Sequence, residues 1–379
     1  KMNKVKVLEI GPSNFGRGGL STIAWNWYEK LDHNRLTVDF FACCPTVPDS
    51  KYVKYLENNG GDFLRYYHEN IMRRQIGRII YLHKLVKAKK YDCIHIHGSD
   101  AGEIYGYYLA VSHLCNNIII HSHSSSIPKD TFLKTSVKST LHRIGRSLLS
   151  HEKLTRLACS QMAAEWVYQK YDEYVVVKNG ISIPKFIFNE QVRQDIRNKL
   201  DLQNRFVVGH IGKFNFQKNH MFLIDVFYEV YQQNPAAVLL LIGEGEAEYQ
   251  IREKVYSLGL NQAVIFYGTA SNVNELYQAM DCFVFPSLFE GLGIVAIEAQ
   301  AAGLKTLCSD GIPGEAQITD LLEYLPLSES KENWAKKILS YNNHYKRRNM
   351  ADEIKLAGYD LEQSAKQLEA LYCSCVSGN

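Results

Sequence analysis

The segment EGLGIVAIE joins a glycine-rich turn to the start of a predicted helix and carries a glutamate at each end. Glu290 precedes the helix and Glu298 lies inside it, with seven residues between them. Eight residues of helix rise about 12 Å, which suits two hydroxyl-bearing groups at opposite ends of one ligand. Backbone N–H groups at a helix start attract an anion, and here they belong to Gly291, Leu292, Gly293 and Ile294. The segment therefore fits a nucleotide sugar, with ribose on Glu298, diphosphate at the helix start and sugar on Glu290; two exposed glutamates without a ligand are the alternative.

A second loop with the chemistry of a phosphate site follows the apolar run Val207–Ile211. Gly212 ends the predicted strand, and Lys213 and Lys218 flank the loop that leads to the next helix. Two ammonium groups placed in this way bracket a diphosphate and stabilise its charge as it leaves. The alternative is a pair of solvated surface lysines.

The first loop of the chain, GPSNFGRGGL, follows the strand-like run Val5–Ile10 and precedes a helix. Glycines at this position let backbone N–H groups approach a phosphate, so Gly18 and Gly19 are predicted to contact the ligand. A dinucleotide fingerprint is a competing interpretation, but Ser21 stands at its third glycine and Asp39 falls inside a strand, not at its end. A turn with a structural role alone is the third interpretation.

Four histidines form two His-x-His pairs, His95 with His97 and His121 with His123. Histidine is the commonest metal ligand in proteins, so the pairs raise the question of a metal site. Alternate residues share one face of a strand, but no third group of ligands accompanies the pairs in the sequence. We therefore predict no metal site.

Short apolar, β-branched runs alternate with longer helical patterns along the whole chain. Most of these runs are continuously apolar, which is typical of strands buried on both faces of a parallel sheet. Helices between such strands predict an α/β fold with two doubly wound, Rossmann-like domains that face a cleft. The predicted strands are Val5–Ile10, Thr37–Ala42, Cys93–Ile96, Ile118–Ser122, Arg156–Ser160, Tyr174–Val177, Val207–Ile211, Ala237–Ile242, Ala263–Tyr267, Cys282–Phe285 and Thr306–Cys308.

The turn-rich stretch KNGISIP follows a strand and is predicted to link the two domains. Residues 1–182 then form the first domain, and residues 183–350 form the second, which binds the nucleotide sugar. Residues 351–379 are predicted to be a C-terminal helix that crosses back to the first domain.

Length and composition agree with this organisation. A chain of 379 residues is long enough for two domains, and 46% hydrophobic with 22% charged residues is ordinary for a globular protein. The apolar runs are far shorter than the roughly 20 residues that cross a bilayer. Because no leader-like segment opens the sequence and the nine cysteines form no Cys-x-x-Cys pair, we predict a cytoplasmic location. Residues 1–182 carry a formal charge of +9 and the remainder −6, which suggests an anionic partner for the first domain.

The segment Leu133–Leu149 carries an apolar stripe at helical spacing, with basic residues beside it. The stripe contains Leu133, Val137, Leu141, Ile144 and Leu148, and the basic residues are Lys134, Lys138, Arg143 and Arg146. Such a helix either docks on an anionic membrane surface or buries its stripe in the core and leaves a solvated basic rim.

Taken together, these segments resemble glycosyltransferase family 4, the group 1 retaining enzymes of GT-B fold. EGLGIVAIE resembles the E-x7-E motif of that family, and the segments GRGGLS, GKFNFQKNH, LLLIGEGE and IFYGTASNVNELYQAMDCFVFPSLFEGLG agree with it in order and spacing. IHIHGSD and IIIHSHSSS are similar to acceptor-domain segments of its capsule and exopolysaccharide branch. Lys213 stands where the family usually has arginine, so its diphosphate contact is expected to be single. The loop around Glu315 matches only loosely, and Glu315 receives no role.

The resemblance implies a hexosyltransferase that moves a sugar from a nucleotide sugar, here a UDP-sugar, to a glycan or polyprenyl-diphosphate-linked acceptor. It implies catalytic roles for Lys213, Lys218, Glu290 and His123, with His123 near the transferred sugar and His97 left without a role. It implies donor contacts from Glu298, Gly212, Tyr267, Gly18, Gly19 and the turn Gly291–Ile294. The sequence contains no Asp-x-Asp, so the metal-dependent GT-A class is disfavoured and no metal cofactor is expected.

Two other functions remain open at this point. A nucleotide-sugar epimerase or hydrolase has the same fold, and a non-catalytic nucleotide-sugar-binding subunit needs the same donor contacts. The partners expected for the transferase are the donor, the acceptor and an anionic inner-leaflet membrane surface that the basic first domain contacts peripherally. Nucleic acid is not expected.

Overall fold

The computed structural model describes residues 4–13, 15, 19–124, 132–343 and 345–377. The chain divides into two compact units, residues 1–180 with 361–379, and residues 181–360. The first boundary lies close to the predicted 182. The second lies at 360 and not at 350, because the helix Ala351–Leu356 belongs to the second unit.

The first unit contains a seven-stranded parallel sheet in the order β3-β2-β1-β4-β5-β6-β7. Its order reverses between β1 and β4, which is the switch point where open α/β sheets bind ligands. The strands are β1 (Val5–Ile10), β2 (Leu36–Ala42), β3 (Phe63–Arg65), β4 (Cys93–Gly98), β5 (Ile118–Ser122), β6 (Thr155–Ala158) and β7 (Val175–Val176).

Two groups of helices flank this sheet. The helices are α1 (Gly19–Tyr28), α2 (Ser50–Asn58), α3 (Ile71–Lys89), α4 (Ala101–Val111), α5 (Phe132–Ser150), α6 (Gln161–Val167) and the last helix of the chain, α15 (Leu361–Ser377). Helices α3, α4 and α5 pack side by side, while α15 packs against α1 and β1. Trp27 Nε1 donates to Ser364 Oγ at 3.0 Å, and Leu368 and Tyr372 are fully buried in the core of this unit. The last helix therefore completes the core of the first unit.

The second unit repeats the pattern with a six-stranded parallel sheet in the order β10-β9-β8-β11-β12-β13. Its strands are β8 (Phe206–Ile211), β9 (Ala237–Ile242), β10 (Val264–Gly268), β11 (Cys282–Phe285), β12 (Lys305–Cys308) and β13 (Leu322–Tyr324). Its helices are α7 (Ile183–Phe186), α8 (Glu190–Lys199), α9 (His220–Gln233), α10 (Glu248–Ser257), α11 (Val273–Ala279), α12 (Ile294–Ala301), α13 (Lys331–Leu339) and α14 (Ala351–Leu356).

The predicted α/β fold with two doubly wound sheets is confirmed. Every residue of β8 and β9 is buried, as the continuous apolar runs predict for strands covered on both faces. The three-residue strands β3 and β13 were not predicted, and each lies at a sheet edge. Within the described parts of the chain, no helix is both long and apolar enough to cross a bilayer.

Candidate active site

Two loops meet at the switch point of the second sheet, between β8 and β11. The loop 212–219 follows β8 and the loop 286–293 follows β11. Leu288 N donates to Gln217 O at 2.8 Å, and Gln217 Nε2 donates to Phe289 O at 3.0 Å. The two loops are therefore held together at the edge of the sheet where ligands of this architecture bind. We call them the switch-point loops.

A buried ion pair lies where the switch-point loops meet. Lys218 Nζ donates to Glu290 Oε1 at 2.6 Å, and the two side chains are only 16% and 10% exposed. The stem of Lys218 lies over Gly212, where a Cβ would come within 3.1 Å of its carbons. Desolvation largely offsets the attraction in a pair this buried, so stability alone does not account for it. The arrangement places an ammonium and a carboxylate where a ligand can separate them.

Two buried histidines lie beneath Lys218. His210 Nδ1 is 2.9 Å from Val284 O, and the rings of His210 and His220 have centroids 4.7 Å apart. Burial lowers the pKa of His210 to about 4 and the pKa of His220 to about 2. Both rings are therefore neutral at pH 7, and the positive charge beside Glu290 resides on Lys218. Sequence reasoning missed both histidines, although each is a polar residue at the border of an apolar run.

Glu298 has a buried phenol as its partner. Tyr277 on α11 donates from its hydroxyl to Glu298 Oε2 at 2.9 Å, and Tyr277 is completely buried. Burial raises the pKa of Glu298 to about 7, with the hydrogen bond from Tyr277 acting in the opposite direction. This carboxylate is thus oriented by the fold before any ligand arrives. Tyr277 was not predicted from the sequence.

The turn between Glu290 and Glu298 contains a left-handed backbone conformation that favours glycine. Gly293 caps the start of α12 with φ +82, in the left-handed region that side chains other than glycine rarely adopt. Leu292 is buried and Ile294 is the first residue of the helix. The first N–H groups of any helix lack partners within it, so the start of α12 at Ile294 presents donors of the kind that the sequence assigns to a diphosphate.

Lys213 and Tyr267, which were also predicted to belong to the site, lie on other parts of the second unit's loops and strands. Lys213 is 64% exposed and its Nζ lies 3.2 Å from Glu246 Oε2 in the loop after β9. Tyr267 is partly buried near the end of β10, two strands from β8. The structure thus brings Lys218 to Glu290 and leaves Lys213 at the surface. The other loosely matched residue, Glu315, lies in a short 3₁₀ helix.

The switch point of the first sheet holds a polar pocket of about 360 Å³. Gly11, His97 and Gly98 line it from the strand ends, and Arg74, Arg78, Glu103 and Tyr107 line it from α3 and α4. Arg78 Nη1 donates to Glu103 Oε1 at 2.8 Å. Gly19 opens α1 and is exposed, while Gly18 lies outside the described residues. We call this cavity the first-unit pocket.

The two His-x-His pairs are neighbours in space. Strands β4 and β5 pair with His97 opposite His121, and His97 Nδ1 lies 2.9 Å from His123 Nε2. Burial lowers the pKa of His123 well below its ordinary value. The two pairs are 26 positions apart in the sequence, and the sequence does not reveal that their strands are adjacent and in this register.

Asp39 is the acid that a dinucleotide site would use, but its carboxylate already accepts hydrogen bonds from other groups of the protein. Its Oδ2 accepts from Lys89 Nζ at 2.8 Å and from the Tyr91 hydroxyl at 2.6 Å, and its Oδ1 accepts from Asp62 N. A ribose would have to displace these donors. The structure therefore argues against a dinucleotide site.

Comparisons with known proteins agree with this geometry. The family described as "Glycosyl transferases group 1" matches residues 192–356. The chain is 26% identical to "Putative glycosyltransferase EpsF" of Bacillus subtilis over 95% of this chain and 94% of that protein. It is also 26% identical over 243 residues, 61% of each protein, to the "UDP-Gal:alpha-D-GlcNAc-diphosphoundecaprenol alpha-1,3-galactosyltransferase" of Escherichia coli.

A solved structure shows the same fold. Anabaena Alr3699/HepE in complex with UDP and glucose superposes with a TM-score of 0.76 at 18% identity, over 98% of this chain and 100% of that one. The matched family region contains the buried Lys218–Glu290 pair and both switch-point loops. The chain is therefore a glycosyltransferase with the GT-B fold, and its residues 192–356 match the group 1 family.

Proposed function

We propose that this enzyme transfers a sugar from a UDP-sugar to a glycan or a lipid-linked glycan, with retention of anomeric configuration, in capsule or exopolysaccharide synthesis. The observation that carries the proposal is the buried Lys218–Glu290 pair at 2.6 Å. On donor binding, Glu290 accepts hydrogen bonds from sugar hydroxyls and Lys218 turns to the diphosphate. Both groups exchange a costly internal pairing for contacts with the substrate.

The reaction step follows from these positions. The bond between C1 of the sugar and the diphosphate oxygen breaks, and C1 forms a bond to the acceptor hydroxyl oxygen on the same face. The hydroxyl proton passes to the departing diphosphate oxygen, which lies on that face. Negative charge grows on the diphosphate as the bond breaks, so Lys218 and the N–H groups at the start of α12 stabilise the transition state more than the bound donor. We propose that no divalent metal is needed at the diphosphate.

The nucleotide assignment rests on Glu298 and on the relatives. An ionised Glu298, held by Tyr277, accepts hydrogen bonds from the two ribose hydroxyls. The Escherichia coli relative is named for a UDP-galactose donor, and the Anabaena structure contains UDP. These names support a UDP-sugar here. A screen of UDP-sugar donors identifies the sugar.

The acceptor assignment rests on the first-unit pocket. Arg74 and Arg78 line it, and arginine is the side chain best suited to bidentate contact with a phosphate. The Escherichia coli relative is named for a diphosphoundecaprenol-linked acceptor. His97 lines the pocket, and its Nδ1 lies next to His123 Nε2. We propose that a polyprenyl-diphosphate-linked glycan binds with its diphosphate at the two arginines.

A donor and acceptor screen tests the function. UDP-glucose, UDP-galactose and UDP-N-acetylglucosamine are each incubated with the enzyme and a synthetic polyprenyl-diphosphate monosaccharide. We expect UDP release to depend on the acceptor, the product to keep the donor's anomeric configuration by NMR, and added Mg²⁺ or Mn²⁺ not to raise the rate. Equal turnover without acceptor would indicate an epimerase or hydrolase. Tight donor binding with no turnover of any pair would indicate a non-catalytic subunit.

The apolar stripe of α5 faces away from the core. Val137, Leu141 and Ile144 are each more than half exposed, and Leu148 is 38% exposed. The buried face of α5 instead contains His142, Gly145 and Leu149. The alternative in which the stripe packs in the core is therefore wrong for these residues, while the side chains of Leu133 and Lys134 lie outside the description.

Helix α3 adds a second exposed apolar row to this side of the first unit. The row contains Ile71, Met72, Ile76 and Ile80, each more than half exposed. Lys138 and Arg143 on α5 are exposed beside the stripe, whereas the Arg146 side chain donates to the carbonyls of Glu165 and Tyr168. We propose that the surface formed by α3 and α5 docks the enzyme from the cytoplasm on an anionic membrane that carries the acceptor.

Vesicle binding tests the membrane proposal. Each basic residue near an anionic surface contributes about 1 kcal/mol, so the double variant Lys138→Gln/Arg143→Gln should bind anionic vesicles roughly 30-fold more weakly. The variant Leu141→Ser/Ile144→Ser should also bind more weakly, and salt should weaken the parent. Leu356→Ser removes an even more exposed apolar side chain from the second unit (87% exposed) and should have no effect. Equal binding to neutral and anionic vesicles would contradict the proposal.

A further inference from the structure

A cluster of buried polar side chains lies on one side of the first sheet, and only His97 among them also lines the first-unit pocket. Glu9 on β1, His95 and His97 on β4 and His121 on β5 are at most 2% exposed. The strand register sets Glu9 beside His95, and His97 beside His121. We call these four residues the histidine cluster. They come from three adjacent strands and converge in the interior.

The ligand-forming atoms of this cluster face one another and lack partners. One nitrogen from each of His95, His97 and His121 lies within 4.8 Å of the other two, and Glu9 Oε2 lies 3.3 Å from His97 Nε2. Among the described residues, Glu9 Oε2, His95 Nε2, His97 Nε2 and both nitrogens of His121 have no hydrogen-bond partner. Buried polar atoms are nearly always paired, so this concentration of unpaired polar atoms requires an explanation.

The hydrogen bonds around the cluster fix the tautomer of His95. The Tyr372 hydroxyl donates to Glu9 Oε1, 3.0 Å away. That hydroxyl has one proton, so at 2.7 Å it accepts from His95 Nδ1–H. His95 Nε2 in the neutral ring is then a bare lone pair. A bound cation would satisfy this lone pair together with the Glu9 oxygen that lies 3.3 Å from His97 Nε2.

The outer contacts are those of a metal site. Metal-bound histidines are generally held by a hydrogen bond from the second ring nitrogen, and here His95 Nδ1 contacts Tyr372 while His97 Nδ1 contacts His123 Nε2 at 2.9 Å. Trp27 stacks on His121 with centroids 5.5 Å apart.

We propose that the histidine cluster binds one divalent transition-metal ion, with three imidazole nitrogens and one Glu9 oxygen as ligands. Three histidines and one carboxylate form a four-coordinate set that suits Zn²⁺. Zn–N bonds of about 2.0–2.1 Å require the nitrogens to move closer together than their present spacing of up to 4.8 Å. The ion would join β1, β4 and β5 and, through Tyr372, hold α15 on the sheet. Its role is structural and independent of the donor site proposed for the second unit.

Metal analysis of tag-free protein tests this site. The protein is refolded with Zn²⁺ or Co²⁺, dialysed, and examined by elemental analysis, visible absorption and thermal unfolding. His121→Gln and Glu9→Gln each remove one ligand. His220→Gln is the matched control, because His220 is also buried with both ring nitrogens unpaired. Cys43→Ser/Cys44→Ser controls for metal binding by the two adjacent free thiols.

We expect about one Zn²⁺ per chain, a higher unfolding temperature with metal, and a Co²⁺ spectrum of a four-coordinate site with nitrogen and oxygen ligands. Both cluster variants should lose at least tenfold in affinity, and both controls should bind like the parent. A folded parent that retains no metal would overturn the proposal. A proton shared between Glu9 and the histidines would then explain the unpaired atoms. Binding unchanged in both cluster variants would also overturn the proposal. If the variants do not fold, the parent's Co²⁺ spectrum decides, because thiolate ligands would add intense charge-transfer bands.

Discussion

Replacing Lys218 with methionine should lower kcat by about 10²–10³-fold and change the donor KM much less. Removal of a single donor that stabilises developing negative charge has an effect of this size, and the loss falls on kcat because the charge develops as the bond to the diphosphate breaks. Methionine keeps an unbranched stem over Gly212, where the lysine carbons now pack. Steady-state kinetics with a UDP-sugar and a saturating acceptor provide the measurement.

Two controls separate this effect from damage to the fold. Lys213→Met removes the other lysine of the same loop, which is exposed and pairs with Glu246, and should lower kcat less than Lys218→Met because an exposed charge interacts more weakly than a buried one. Lys218→Met also leaves Glu290 buried without its ammonium, a change that destabilises proteins by about 3–5 kcal/mol. The double variant Lys218→Met/Glu290→Gln should recover the unfolding temperature but not kcat. Full activity in Lys218→Met would remove Lys218 from the leaving-group role, and equal losses at both lysines would give Lys213 the same role.

The elements that carry the site were predictable because their patterns are strong. The apolar run of β8 and the run of β11 each end in a loop with charged residues, and strand ends of a parallel sheet lie at one edge. The contact between Lys218 and Glu290 was not predictable, because they are 72 positions apart. Nothing in the spacing says that β8 and β11 are neighbours. That adjacency comes from the strand order, which depends on how the whole sheet assembles.

Helix α5 shows a limit of a different kind. The spacing of Val137, Leu141 and Ile144 correctly predicted one apolar face, but periodicity does not say whether that face is buried. The helix instead packs through Gly145, where a Cβ would come within 2.4 Å of Ala101 O. Close approach of two helix backbones requires a small residue at the contact. The small and polar face is therefore inside, and the apolar face is exposed.

The clustering of the histidine pairs was not predictable, for the same reason as the contact between Lys218 and Glu290. Each pair was visible in the sequence, but only the register of β4 against β5 places His97 beside His121. Glu9 joins them from β1, and Tyr372 joins from the far end of the chain. Single buried polar residues such as these carry no periodic signal. The strands around them are predictable from apolar pattern, and the cluster becomes visible only once the strands are paired.

Glu298→Gln should raise the Kd for a UDP-sugar by about 10- to 100-fold at pH 8. The amide has one acceptor oxygen where the carboxylate has two, and hydrogen bonds to a charged group contribute about 1.5–3 kcal/mol. Calorimetry with UDP-glucose measures the difference. An unchanged Kd at pH 8 would show that the ribose does not contact Glu298.

The pH dependence of this difference is the sharper test, because the pKa of Glu298 is raised to about 7 by burial. If only the ionised carboxylate binds the ribose well, the competent fraction falls as pH drops below 7, and the parent should bind about tenfold more weakly at pH 6 than at pH 8. Glu298→Gln has no such group and should show a flat profile, so the two Kd values converge at low pH. Any titration of the ligand affects both proteins equally and cancels in the comparison.

Tyr277→Phe removes the hydrogen bond that opposes the rise in the pKa of Glu298, so the midpoint of its profile should move above that of the parent. Parallel profiles for the parent and Glu298→Gln would show that a group other than Glu298 controls binding.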